Sequence, residues 1–241
     1  MLLLSTLPSL AGARRFTYLY EATTSPPGGF ELENWVTWKT DTPNDHAFDK
    51  VDFRHEIEFG ITDHFQLAVY LADWSYEDGR SGESEGFAYD DSALELIYNL
   101  SSPAADLIGL AIYGEIKAGY RTLELESKLI AQKDLGPLVI VYNATLEATW
   151  QGEDLEEKEG EIQQSLGASY EISPRFLAGV EVVHEIAIPE WRKTERGFFF
   201  AGPNVSVRGG KWWATATALA QLTRAGDEPD FQLRTIVGYE F

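Results

Sequence analysis

FQLRTIVGYEF, residues 231–241, closes the chain. Read as an extended strand, it places Phe231, Leu233, Thr235, Val237, Tyr239 and Phe241 on one side. Gln232, Arg234, Ile236, Gly238 and Glu240 fall on the other. The first face is mostly apolar and stops on an aromatic ring with no polar tail after it. Water is a poor solvent for such a face and lipid a good one. The second face carries charge and belongs in a polar interior. A strand of this kind is the unit of a membrane barrel, which is apolar only at alternate positions.

The same period of two recurs upstream. It predicts strands near 30–40, 50–61, 65–75, 88–100, 109–120, 121–132, 138–150, 161–172, 175–187, 197–208, 211–223 and 231–241. Each is long enough to cross a bilayer at a tilt. The expected fold is all-β, a transmembrane antiparallel up-and-down β-barrel of about 12 strands over residues 30–241. The predicted connections alternate in kind. Turn-like joins at 61–65, 101–109, 133–137, 173–176 and 208–211 alternate with charged loops at 41–49, 75–90, 151–160, 189–196 and 224–230. The join at Tyr120-Arg121 is tight and breaks the pattern. An even strand number puts both termini on the short-turn side, the periplasmic side of an outer-membrane barrel.

Composition fits this reading and excludes others. The mean hydropathy of −0.23 is too polar for a helical bundle, and no apolar run reaches the length of a spanning helix. A net charge of −20 excludes nucleic acid as a partner. No cysteine is present, so disulfides, thiol catalysis and thiolate metal sites are excluded. MLLLSTLPSL at the start, followed by Ala11-Gly12-Ala13, has the form of an apolar core and a signal-peptidase site without its basic region. Residues 1–13 are therefore expected to be a truncated signal-peptide remnant, and 14–29 an N-terminal periplasmic segment punctuated by Pro26, Pro27, Gly28 and Gly29. That segment either folds into the lumen as a plug or adds to a strand.

The strand faces sort the side chains. Phe59, Phe65, Tyr98, Phe176, Trp212, Tyr239 and Phe241 point outward near one rim. Trp38, Tyr120, Trp150 and Phe231 point outward near the other. Rings at two heights are expected to form aromatic girdles against outer-membrane lipid. Inward fall Glu31, Glu33, Asp52, Glu56, Glu58, Glu95, Glu115, Glu124, Glu126, Glu147, Glu171, Glu181, Glu185 and Glu240. Inward bases are fewer: Arg54, Lys117, Lys128, Arg208 and Arg234. These residues are the predicted pore lining. A wet lumen with this excess of carboxylates favours cations. Alternatively the five bases tie the acids into a network that blocks the barrel. Strand number does not choose, since twelve lies between filled and open barrels.

No catalytic group is expected. Of the histidines, His46 and His64 fall in a loop and a turn, and His55 and His184 on the lipid face. None has a serine beside it on the outward face, so the nucleophile–base pair of a lipid hydrolase is missing. No motif calls for a metal or a cofactor. The acidic loops match no defined calcium loop.

Tyr239 and Phe241 at the end of the last strand resemble the C-terminal assembly signal of Gram-negative outer-membrane proteins. FGITDHFQLAVYL (59–71), YEISPRFLAGVEV (170–182) and AGPNVSVRGGKWWATATALAQL (201–222) are similar to phrases of porin-like transporter barrels, such as the family linked to aromatic meta-pathway degradation. The resemblance implies insertion by the outer-membrane assembly machinery and passage of small solutes. It names no solute. The combined expectation is a porin-like passive channel in the bacterial outer membrane, probed against a structural or adhesive barrel that acts through its loops.

Overall fold

In the computed structural model the alternating segments pair into one closed sheet. The structure describes residues 13–78, 86–226 and 228–241. The expected leader up to Gly12 and part of the charged loop 75–90 lie outside them. The strands are β1 (Phe30–Thr40), β2 (Asp49–Thr62), β3 (Phe65–Glu77), β4 (Gly86–Ser101), β5 (Gly109–Gly119), β6 (Thr122–Leu135), β7 (Leu138–Gln151), β8 (Glu157–Ser173), β9 (Phe176–Pro189), β10 (Phe198–Gly209), β11 (Trp212–Gln221) and β12 (Phe231–Glu240). Each pairs antiparallel with its sequence neighbours, and β12 closes on β1 with Glu31 opposite Glu240 and Thr40 opposite Phe231. Closure satisfies the backbone of every strand and leaves no edge, which a lipid environment requires.

Strand ends differ from the expected ones by a few residues, most of all in β8. The charged stretch 151–160 is expected as a loop, yet Glu157, Lys158 and Glu159 pair with Gln151, Trp150 and Thr149 of β7. Alternation in hydrophobicity marks only the lipid-spanning part of a strand. Beyond lipid the ladder continues through polar residues, and the periodic signal is lost. The tight join is found between β5 and β6, where Arg121 takes a φ of 61°.

The faces are inverted relative to a water-soluble barrel. On β4, Leu94, Leu96, Tyr98 and Leu100 are exposed while Glu95 between them is fully buried. The exposed apolar residues form the belt that would meet lipid, worth about 25 cal/mol for each Å² removed from water. The interior is where the chain hides charge.

Residues 14–25 lie within the barrel as a plug, and residues 26–29 turn at its rim, where Gly28 and Gly29 bond the backbone of Gly60. From Ala13 the chain enters on the short-turn side, reaches its furthest point near Tyr18, and returns to Phe30. It takes no place in the sheet. Phe16, Leu19, Tyr20 and Ala22 pack in one cluster with the inward groups Trp35, Ile97, Tyr113, Ile130, Val141 and Trp213. Two glycines make room. A Cβ at Gly167 would stand 2.6 Å from the Phe16 ring, and one at Gly60 would stand 2.0 Å from the Pro26 carbonyl oxygen.

Candidate functional site

The plug is held by side chains of the wall. An extended segment with no ladder must find partners for its N–H and C=O groups elsewhere. Glu181 accepts the Thr17 and Tyr18 N–H groups at 3.0 and 2.7 Å. Asn143 accepts the Tyr20 N–H at 2.7 Å and donates to its carbonyl at 3.0 Å. Gln132 accepts from Ala22 N–H at 2.8 Å, and Asn99 donates to Ala22 C=O at 2.6 Å. Gln66 accepts the Ser25 N–H at 2.8 Å. Ser206 and Thr215 donate to the Arg14 carbonyl, and Arg208 donates to that of Ala13. Polar residues that serve generically as a wet lining thus form a fitted cradle.

The strongest polar anchor is Arg14. Its Nε lies 2.9 Å from both oxygens of Glu33, and its Nη2 lies 3.0 Å from Glu58 and 3.5 Å from Glu56. Its guanidinium carbon stands 4.9 Å from the Trp35 ring and 4.5 Å from the Tyr20 ring. Charge-assisted bonds of this kind contribute more than neutral ones, about 1.5–3 kcal/mol each.

Above the plug, on the long-loop side, a cavity of about 400 Å³ is lined by Glu115, Glu126, Glu147, Glu161 and Glu185 among others. Below it a second cavity of about 340 Å³ is bounded by Arg14, Arg15, Glu21, Glu58 and Arg208. Four bases of the upper cavity are paired with acids: Arg54 with Asp73 at 2.6 Å, Lys39 with Asp52 at 2.7 Å, Lys117 with Glu124, and Lys128 with Glu126. Glu147, Glu161 and Glu185 have no ion pair among the described residues. Arg234 lies over the Tyr18 ring at 4.0 Å and donates from Nε to Thr37 at 2.9 Å.

Register arranges the carboxylates in a line. Glu240 is opposite Glu31, and Glu31 is opposite Glu58. Ala68 then interrupts the row. Beyond it Glu95 is opposite Glu115, Glu115 opposite Glu126, Glu126 opposite Glu147, and Glu147 opposite Glu161. Barrel strands tilt, so a row drawn across them climbs the wall. This one runs from the short-turn rim at Glu240 to the long-loop part of β8. Glu95 is fully buried and accepts from the hydroxyls of Tyr20 and Tyr70.

All the residues expected to line a pore thus face the interior, but in two different settings. Glu33, Glu56, Glu58, Glu95, Glu181, Arg208 and Arg234 contact the plug. Asp52, Arg54, Glu115, Lys117, Glu126, Lys128 and Glu147 line the upper cavity. Glu124 bonds Lys117 beside it. Glu31 accepts from the Trp213 indole. The expected girdle rings Trp38, Tyr98, Tyr120, Phe176, Trp212, Tyr239 and Phe241 are exposed, and Phe59, Phe65 and Trp150 are half-buried. Phe30 joins Phe59 and Phe241 at ring distances of 5.3 and 4.8 Å, bringing the barrel's first and last strands together.

Arg14 and the inward rings Trp35, Tyr70, Tyr113 and Trp213 were not among the residues expected at the site. Their signal was present in the sequence. Large apolar groups on a lumenal face need something apolar to cover them. The histidines are engaged elsewhere. Trp74 donates to His55 Nε2 at 3.2 Å, so Nδ1 carries the proton and donates to Asn34 at 2.8 Å. His184 stacks on Phe199 at 4.1 Å. His46 lies against Asp41, whose hydrogen bond and charge raise its pKa.

The fold has solved counterparts. The COG4313 outer membrane channel from Pseudomonas putida F1 is similar at a TM-score of 0.69 and 12% identity, covering 94% of this chain and 100% of that one. The NanC porin is similar at a TM-score of 0.58 and 7% identity, covering 88% and 98%. The KdgM porin, solved with disordered oligogalacturonate, is similar at 0.57 and 8%, covering 88% and 99%. At such identities the likeness is one of fold, and the fold is that of the bacterial outer-membrane barrels. No curated protein matches the sequence. The family model described as a family of unknown function, DUF6662, matches residues 8–235, and the chain belongs to that family.

Proposed function

We propose that the protein is a porin-like passive channel of the outer membrane for small solutes, with a preference for cations, and that residues 13–29 close it. The observation that carries this reading is a lumen filled in one half by a segment outside the sheet. Removing that segment leaves the pairing of the twelve strands with one another whole and breaks, among the backbone–backbone bonds of the described residues, only those of the Gly60 N–H and C=O with Gly29 and Gly28. It also removes Arg14, the charge set against Glu33, Glu56 and Glu58. The emptied lumen would hold a large excess of carboxylates, which attracts cations as acidic rings do in channels. The resemblance of this fold to channel and porin structures supports the same reading. Tyr239 and Phe241 serve as the signal for the assembly machinery, and the girdle rings meet lipid.

The test is planar-bilayer conductance in a potassium chloride gradient, comparing the full chain with one lacking residues 13–29. The full chain should be closed or flicker, and the shortened chain should give stable cation-selective steps. Silence from a shortened chain that still shows heat-modifiable migration on a gel would overturn the channel reading. It would favour a closed barrel acting through its loops.

A further inference from the structure

We infer that Glu33, Glu56, Glu58 and Trp35 form a binding site for an organic cation carrying a guanidinium or ammonium group, and that Arg14 occupies it as the chain's own stand-in. This rests on the channel reading and adds the class of solute that opens it.

The geometry is that of guanidinium recognition. Glu33 and Glu56 are directly opposite on β1 and β2, and Glu58 lies one inward position further along β2. A planar guanidinium wants carboxylate oxygens in its plane and an aromatic ring against its face. Arg14 has both. The Trp35 indole N–H donates to Glu33 at 2.9 Å and holds that carboxylate in position. These groups all belong to the barrel wall, so they remain when the plug leaves.

The site is built for more positive charge than Arg14 brings. Three carboxylates surround one guanidinium. Glu56 is fully buried, and its second oxygen has no hydrogen-bond partner among the described residues. Buried carboxylates without compensation are costly. Withdrawal of the plug admits water but leaves three carboxylates with oxygens within 4.8 Å of one another, a crowding of like charge that another cation in the place of Arg14 relieves. A cationic solute and Arg14 are competitors for one site, and the solute that wins holds the barrel open. Trp35 lines the upper cavity, while Glu58 and Arg14 line the lower one. The triad thus lies at the partition that a solute must cross.

Methylguanidinium chloride is the probe. At millimolar concentration it should raise the open fraction of the full chain at least tenfold over the same concentration of sodium chloride. The Arg14→Ala full chain should bind it in a calorimetric titration. The Arg14→Ala chain that also carries Glu33→Gln and Glu56→Gln should not, while keeping heat-modifiable migration. A folded Arg14→Ala chain that binds no methylguanidinium overturns the site, whether or not it conducts. Conductance of that chain without binding would overturn the site and leave the channel reading standing.

Discussion

The two halves of the lumen are made from the same residue types on the same face, yet they reach opposite arrangements. On the short-turn side, Glu33, Glu56, Glu58, Glu95 and Glu181 are buried and bonded to a segment that is not part of the barrel. On the long-loop side, Glu126, Glu147, Glu161 and Glu185 stay half-buried around an open cavity, and the bases there are shared among neighbouring acids. The wall does not itself decide which half is dry. The plug does, by bringing apolar rings, one guanidinium and a run of backbone N–H groups. A row of carboxylates that would be a pore lining in one half is a docking surface in the other.

The sharpest way to break this contrast is to deny the plug its space. Gly167 lets the Phe16 ring lie against β8. Gly167→Phe would fill that place from the wall, beside Glu181 on β9, without replacing a carboxylate. The expected outcome is an expelled plug and conductance equal to that of the chain lacking residues 13–29. Trypsin should then cut at Arg14 or Arg15 in the folded barrel. Resistance to trypsin, with an unchanged closed state, would mean the plug has room to shift and that packing does not hold it.

A smaller effect is expected from the other side of the same contact. Phe16 is fully buried. Phe16→Ala should cost about 3 kcal/mol of docking, from lost transfer and the cavity left behind. That shifts the docked-to-free ratio about a hundredfold. Brief openings should become frequent, and the wall should remain as stable as before. A fall in barrel stability equal to the loss in docking would show that plug and wall form one cooperative unit.

How much of this was legible beforehand follows from what alternation encodes. Period two fixes which face a residue takes, so the strands, the inward acids and the outward rings at Trp38, Tyr98 and Phe241 could be read directly. It carries no information on what stands opposite that face across the lumen. Nothing local marks Asn143, Gln132 and Asn99 as partners of the plug, because their bonds to Tyr20 and Ala22 join segments over seventy positions apart in the chain. The carboxylate row was also hidden. Each member was identifiable, but their alignment depends on register, which bulges such as that between Tyr70 and Asp73 shift. Trp35 and Trp213 were the missed clue, being large apolar groups on a face otherwise given to charge.

The smallest expected effect tests the upper half by itself. Glu147, Glu161 and Glu185 stand on adjacent strands β7, β8 and β9 around the open cavity. Charges in contact with electrolyte are screened within about 10 Å at 0.1 M salt. Replacing all three by Gln in the chain lacking residues 13–29 should therefore lower the potassium-to-chloride permeability ratio by only about twofold at that ionic strength. The loss should grow as the salt is diluted, because the screening length grows. The same exchange at Glu33, Glu56 and Glu58 should lower the ratio further and depend less on salt, since the inward rings of Trp35 and Trp213 beside them leave less room for electrolyte. Equal effects from the two triads, with equal salt dependence, would mean that the emptied lumen is uniform. The difference between its halves would then belong wholly to the plug.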